Sequence, residues 1–301
     1  HVTVGSGGSH TIRTSLTGLS GSWTSQNLGS GGDLVDLAYD PDAGRWVAVG
    51  ADRLFYSDSG TAWSACTINV ANIMLAAPGI AHNAGTWLVP TEHWGSTVRL
   101  LRSADGVVWD AAGAASFTVS SASEDLPTRI GHNGVRWIAA GRNFGASYND
   151  RSRIWTSDDD GLTWQQTWGE SSTEGEGFLF EVAVTPAGFF VAGYRGYGGG
   201  RAPLQLESAD GISWREFESG AEFNRLFVDA DSGDVIARWT GAWDSEYSGT
   251  TGSATWHRIT QEAPPPPAPS IILPLVVSRV SAAHAIALPL AVRRVSPGVV
   301  S

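Results

Sequence analysis

The chain reads as an all-β protein, a six-bladed β-propeller of four-stranded blades with a C-terminal β-type tail. Three observations carry this reading. A short motif ending in Trp recurs every few tens of residues: "SDSGTAW" (57–63), "SADGVVW" (103–109), "SDDDGLTW" (157–164) and "SADGISW" (208–214). Ahead of each motif a glycine turn opens a run rich in Val, Ile, Trp and Phe: "AGRWVAVG", "AGTWLVPT", "NGVRWIAAG" and "AGFFVAGY". No stretch sustains the 3.6-residue apolar period of a helix.

Taken in chain order, the N-terminus supplies three strands, near "HVTVG", "HTIRTS" and "SWTSQNL", and lacks the first strand of a blade. Residues 33–260 then hold five units. Each begins with a run such as "LVDLAYD", "TRIGHN", "FEVAVTP" or "NRLFVDA" that reaches the glycine turn. The second strand follows that turn, and the third runs into the Trp motif. Asp-Gly favours a tight turn with positive φ at glycine, and Ser and Asp side chains cap free turn amides. The Trp anchors the returning fourth strand. Degenerate copies end at Trp23 and Trp256, so a fourth strand is expected to open at each of these as well.

The propeller occupies residues 1–260 and a Pro-rich linker residues 261–270, with "APPPPAPS" as a stiff spacer that reaches about 25 Å at about 3.1 Å per residue. The tail, 271–301, is itself a repeat, "LPLVVSRVS" (273–281) and "LPLAVRRVS" (288–296), apolar on both strand faces. An open propeller exposes sheet edges. One tail copy is therefore expected to supply the strand missing from the N-terminal blade, and at least one copy to pair with another protein chain.

Composition excludes several classes. The net charge is −11, and the only charged residues beyond position 262 are Arg279, Arg293 and Arg294, so the body is more acidic still. Nucleic-acid binding needs a basic footprint and is not expected. The apolar stretch 271–292 is long enough to span a bilayer but contains Arg279, His284, Pro274 and Pro289, which argues against a span. The opening residues carry no leader pattern, so the route of export is not legible. Cys66 stands alone and forms no intramolecular disulfide. The seven His are scattered without metal-ligand spacing; His82 and His132 precede equivalent turns, "AHNAG" and "GHNG". No cofactor and no metal is expected.

The four hairpins resemble the Asp-box, or BNR, repeat of sialidase-like β-propellers, S-x-D-x-G-x-T-W. Residues 157–164 match it in full, through Ser157, Asp159, Gly161, Thr163 and Trp164. The copies with Ser103, Asp105 and Trp109 and with Ser208, Asp210 and Trp214 are one residue shorter. In the copy with Ser57 and Trp63 the acid shifts to Asp58. The resemblance covers roughly residues 1–260. It implies that the box is a structural hairpin on the face opposite an active site, with Asp159 capping the turn and Trp164 packed between blades. It also implies what a sialidase would need: three Arg for the substrate carboxylate, an acid/base and a Tyr nucleophile activated by Glu. The family's N-terminal F/Y-R-I-P is reduced here to Arg13 in "TIRTS", and Glu246 and Tyr247 are adjacent, so on a strand they point to opposite sides.

Function is therefore sought in the loops of the other face. They concentrate Trp94, Arg142, Phe144, Tyr148, Arg151, Tyr194, Arg195, Tyr197, Trp243 and Tyr247, aromatic platforms with Arg that suit sugar rings and anionic groups. The acids Glu124, Asp125, Glu170, Glu174 and Glu176 are expected in solvated blade-to-blade loops, and no catalytic residue is assigned. These features predict a non-catalytic binding or structural component of an extracellular or virion-like assembly, of phage tail or fibre type, recognising glycans on one face. The alternative is a sialidase-like or other glycoside hydrolase.

Overall fold

Runs of β-branched and aromatic residues between glycine turns fold into antiparallel strands, and no helix occurs among the described residues. The computed structural model describes residues 1–5, 9–71, 75, 79–91, 98–113, 116–120, 123–145, 150–170, 176–196, 202–216, 225–228, 235–240, 254–259 and 278–279. Within them the strands make six sheets. The first holds β1 (Val2–Gly5), β2 (Ser9–Thr14) and β3 (Thr24–Ser30). The second holds β4 (Leu34–Asp40), β5 (Arg45–Gly50), β6 (Leu54–Ser57) and β7 (Ser64–Ala65). In the third, β9 (Ala81–Asn83), β10 (Thr86–Pro90), β11 (Leu100–Ser103) and β12 (Val108–Ala112) follow in order, with β8 (Thr67–Ile68) parallel on β12.

The fourth sheet runs β13 (Val119–Ser120), β14 (Ser123–His132), β15 (Trp137–Gly145), β16 (Arg151–Ser157) and β17 (Gln165–Gly169). The fifth runs β18 (Gly177–Thr185), β19 (Gly188–Arg195), β20 (Ala202–Ser208) and β21 (Arg215–Glu216). The sixth contains β22 (Arg225–Val228), β23 (Val235–Thr240), β24 (Ala254–Ile259) and β25 (Ser278–Arg279).

Each sheet packs on the next in chain order. The core is accordingly a series of layers rather than one centre. Trp63 packs with Ile12 of the first sheet, Trp109 with Val47 and Leu54 of the second, and Trp164 with Leu88 and Leu100 of the third. Trp214 borders the cluster around Ile138 of the fourth. Every motif Trp thus fills the gap to the preceding sheet, burying a large apolar surface where neighbouring sheets would otherwise leave a void.

The leading strands are bulged at matching places, between Leu34 and Asp36, Pro127 and Arg129, and Leu179 and Glu181. The bulge drives the backbone against the second strand, where only glycine fits: a Cβ on Gly141 would meet the Leu126 carbonyl, and one on Gly193 the Phe178 carbonyl. Polar bonds stitch these leading strands together. Asp36 accepts from the Ile80 amide at 3.0 Å, Gly79 N–H donates to Thr128 O at 2.9 Å, and the Thr128 hydroxyl donates to Leu179 O at 3.1 Å.

Two features differ from expectation. Trp256 lies inside β24, the third strand of its sheet, instead of opening a fourth. Six and three residues before the other short-motif Trp stand Ser and Gly; here those positions hold Thr250 and Ser253, so the Ser–Gly pair of the motif is missing. The fourth strand of the sixth sheet is β25, from the first tail copy, with Thr255 opposite Arg279 and Trp256 opposite Ser278. Residues 278–279 of that copy therefore pair in the sixth sheet, while the N-terminal sheet holds three strands among the described residues and the second copy, 288–296, lies outside them. Among the described residues, the first and sixth sheets do not pack on one another as consecutive sheets do.

Candidate functional site

The strand register separates two ends of the sheets. Phe189 stands opposite Ser208, where the "SADGISW" hairpin starts, whereas Phe178, Tyr194 and Pro203 align at the other end. Five strand residues, about 17 Å, separate Phe189 from Tyr194.

At the hairpin end the chemistry is spent on the turn itself. The Ser57, Ser103, Ser157 and Ser208 hydroxyls accept from the amides of Gly60, Gly106, Gly161 and Gly211 at 2.8–3.0 Å. Those glycines all have φ between +72° and +79°. Each following Trp donates its indole N–H back to the glycine carbonyl at 2.9–3.2 Å. Asp105 Oδ1 accepts from the Val107 and Val108 amides, and Asp210 Oδ1 from those of Ile212 and Ser213, all at 2.8–2.9 Å. These two amide bonds are the main reason the Asp210 carboxyl is held down to about 2. Asp159 caps Thr163 in the same manner.

In the first motif Asp58 does not cap. The Ser59 hydroxyl takes that place, accepting from the Thr61 and Ala62 amides at 3.2 and 3.1 Å. Asp58 pairs instead with Arg45 at 2.6 Å, and Asp158 pairs with Arg136 at 2.5 Å. The N-terminal copy forms the same turn without an acid, Ser15 Oγ accepting from Gly18 N at 2.8 Å with Gly18 at φ +72°. Turn capping thus engages the Ser and Gly of each hairpin and its capping acid where it has one, while Asp58 and Asp158 pair with arginines.

The opposite end is different. Phe178, Phe180 and Tyr194 form a triangle of half-exposed rings, their centroids 6.0–6.3 Å apart. The Arg142 guanidinium lies 5.0 Å from the Phe178 ring and 5.9 Å from that of Phe144. It bridges the fourth and fifth sheets and donates to Asp150 Oδ2 at 2.6 Å. Burial pushes the Asp150 carboxyl above the usual carboxylate range against the pull of Arg142, and its Oδ1 is buried without a hydrogen-bond partner among the described residues.

Of the ten predicted site residues, the structure brings Arg142, Phe144 and Tyr194 together here. Arg195 lies in a neighbouring ion-pair cluster with Glu170 at 3.1 Å and Glu216 at 3.0 Å. Arg151 is half-buried in β16 opposite Asn143. Trp94, Tyr148, Tyr197, Trp243 and Tyr247 fall outside the described residues, as do Glu174 and Glu246.

The acids expected in solvated loops are a correction. Glu124 and Asp125 belong to β14, and Glu170 directly follows β17 with its side chain fully enclosed. Each is paired: Glu124 with the buried Arg99 at 2.9 Å, and Asp125 with Asn143 Nδ2 and the Thr118 amide at 2.7 Å. Glu170 accepts from the Ser152 amide as well as from Arg195. Its carboxyl is raised by burial, with the Ser152 and Arg195 bonds opposing. Sequence reasoning missed Phe178, Phe180 and Asp150. The spacing of the two Phe was the available signal, since i and i+2 share a strand face.

No protein-family model matches the chain, and no curated protein matches it. Among solved structures it is similar to a Bombyx mori GH32 beta-fructofuranosidase, at 11% identity over 75% of this chain and 60% of that one, with a TM-score of 0.39. It is also similar to a Hadza microbial sialidase, at 14% identity over 84% and 64% of the two chains, TM-score 0.45. A chain of a nidogen/laminin complex is similar at 11% identity over 79% and 88%, TM-score 0.46. The chain spans 60% of the fructofuranosidase's length, and no residue role is carried over from any of the three.

The chemistry of the ring triangle is therefore that of its own side chains. Partly exposed aromatic faces stack on the C–H faces of pyranose rings, and an Arg–carboxylate pair beside them supplies donors and acceptors for hydroxyls. Among the described residues no three His, Cys, Asp or Glu are grouped to hold a metal ion, and no helix is long and apolar enough to cross a membrane.

Proposed function

We propose that the chain is an Asp-box β-propeller that binds glycans at the end opposite its Ser–Gly hairpins. The observation that carries this is the half-exposed triangle of Phe178, Phe180 and Tyr194 with the Arg142–Asp150 pair on its flank. The five matching Ser–Gly turns and the packing of each sheet on the next support the propeller reading. Calorimetry against oligosaccharides selected on a glycan array tests it. Tyr194→Ala and Phe178→Ala should each weaken binding about tenfold or more, as loss of a stacking contact of about 1.5 kcal/mol implies, in variants that remain folded at the temperature of the titration. Affinity unaltered in both variants refutes this site.

A second reading, glycoside hydrolysis, is favoured by Asp150. A carboxyl whose pKa is raised by burial beside an aromatic platform suits a general acid. Turnover of aryl glycosides in the parent protein that disappears in Asp150→Asn, with the variant still folded by circular dichroism, would establish it. Glu170 is not the acid, since its fully enclosed carboxylate already bonds Ser152 and Arg195.

A place on an extracellular or virion surface fits a glycan reader. A role in a phage-type assembly rests on the duplicated tail, of which Ser278 and Arg279 pair with the chain's own β24.

A further inference from the structure

Among the described residues, every large apolar side chain that is exposed rather than half-exposed lies at the hairpin end of the sheets. Three of them, Leu19, Leu162 and Ile212, directly follow the positive-φ glycine of a hairpin. Leu16 lies inside the first hairpin, and Val108 opens β12 just after the hairpin of the third sheet. Val135 sits in the turn ahead of β15, whose Trp137 stands opposite Ser157. Tyr39 pairs with Trp46, which stands opposite Ser57. Leu16 is 97% exposed and Val135 79%, so nothing in the chain covers them.

The turns do not call for these side chains. The residue after the glycine serves the hairpin through its backbone, and Thr61 fills that place in the second sheet. Single exposed apolar residues are ordinary on a protein surface, but a set confined to one end of a repeat marks an interaction surface.

That surface is continuous. Arg45 donates to Asp105 O, Arg102 to Asp160 O and Arg136 to Asp210 O, which fastens the hairpins of the second to fifth sheets in a row. Between the third and fourth, a groove of about 470 Å³ is lined by Val108, Asp110, Ala112 and Leu162.

The same end is acidic. Asp58 and Asp158 are paired with Arg45 and Arg136. Asp42, Asp105, Asp110, Asp159, Asp160 and Asp210 make no ion pair among the described residues, and the exposed Arg13 beside the first hairpin does not balance them. Two such faces repel one another, which disfavours a second copy set face to face, and an anionic membrane is repelled in the same way. The complement is a protein surface with an apolar patch rimmed by Lys and Arg.

We propose that the hairpin end is a docking surface for a basic partner protein, whose apolar patch covers Val108, Leu162 and Ile212 and whose cations meet Asp110 and Asp160. It does not rest on glycan binding, which belongs to the opposite end.

The probe is an amphipathic peptide of Lys and Leu, with the same peptide carrying Glu for Lys as its control. Titrated into the full chain, the Lys peptide should shift the amide resonances of Gly161, Leu162, Gly211 and Ile212 and leave those of Phe178 and Tyr194 in place. Leu162→Ser with Ile212→Ser should weaken binding about tenfold or more, with melting unchanged because both side chains are exposed. Asp110→Asn with Asp160→Asn should also weaken it and reduce its dependence on salt. Equal binding of the Glu peptide, shifts spread over both ends of the sheets, or affinity unaltered by the two Ser substitutions overturns the proposal. Self-association on light scattering that those substitutions abolish also overturns it, and assigns the surface to a second copy.

Discussion

At the residue scale, the hairpins show why a Ser, an acid, a Gly and a Trp travel together. One hydroxyl and one carboxylate satisfy turn amides that a positive-φ glycine exposes, and the indole closes on the glycine carbonyl. Asp210→Ala should lower stability by about 1 kcal/mol, read from urea unfolding, because two amides lose their acceptor. Since the folded carboxyl titrates near 2, below its ordinary value, its contribution is complete above about pH 4 and fades as pH falls toward 2. His132 and His82 act in the opposite chemical sense. His132 Nδ1 accepts the Gly134 amide at 2.8 Å, which requires that nitrogen to be unprotonated, while His82 Nε2 faces both the Gly85 amide at 3.1 Å and Asp40 Oδ2 at 3.2 Å. Burial lowers both pKa values, and Asp40, 3.2 Å from His82, does not offset it. The unfolded state then takes up protons first, so stability should drop as pH falls below about 6.5. His132→Gln, which keeps an acceptor, should flatten that drop in thermal scans at pH 5 and 7.

At the element scale, neighbouring sheets are held by indoles inside and by arginines at the hairpin end. Arg45 pairs with Asp58 of its own sheet and donates to Asp105 O of the next at 2.6 Å. Arg136 repeats this with Asp158 and Asp210 O, while Arg102 reaches Asp160 O at 3.1 Å. Each latch ends on the carbonyl just before the next hairpin's glycine. Arg136→Ala should therefore destabilise by about 1 kcal/mol, more than Asp158→Ala, which leaves the inter-sheet bond in place. Equal losses in the two variants would show that the latch carries nothing. Trp109→Ala, at a fully buried site between the second and third sheets, should lose about 3–5 kcal/mol and fall outside additive behaviour with Val47→Ala.

At the scale of the whole molecule, the six sheets of the described residues form a chain-ordered stack whose last member includes a strand of the tail. Ending the chain at residue 262 removes β25 and bares the edge of β24. The shortened protein should melt lower and aggregate at concentrations where the full chain stays monodisperse on light scattering. A truncated form with unchanged melting and dispersity would mean that β25 contributes nothing to the sixth sheet. The acidic body also sets a condition on the proposed glycan site: if it binds glycans, neutral ones should bind with little dependence on salt, whereas an anionic one must be drawn in by Arg142 and its neighbours against the net charge.

The sequence by itself determined the strand class, the repeat and the hairpins, because these rest on local rules. Glycine φ, Ser and Asp capping, and an apolar Trp at fixed spacing act over a few residues. It also placed Arg142, Phe144 and Tyr194 among the functional candidates. What only the tertiary structure decided depends on contacts between distant segments. Phe178 and Phe180 look like ordinary strand core in "GFLFEVAVT" until the bulge at Leu179 and Glu181 places them beside Tyr194 and Arg142 of two different strands. Glu124, Asp125 and Glu170 read as solvated acids until Arg99, Asn143 and Arg195 arrive from elsewhere in the chain to pair with them. The tail's partner was equally invisible, because strand pairing is set by which backbone edge is open, and an open edge exists only once the sheets have formed.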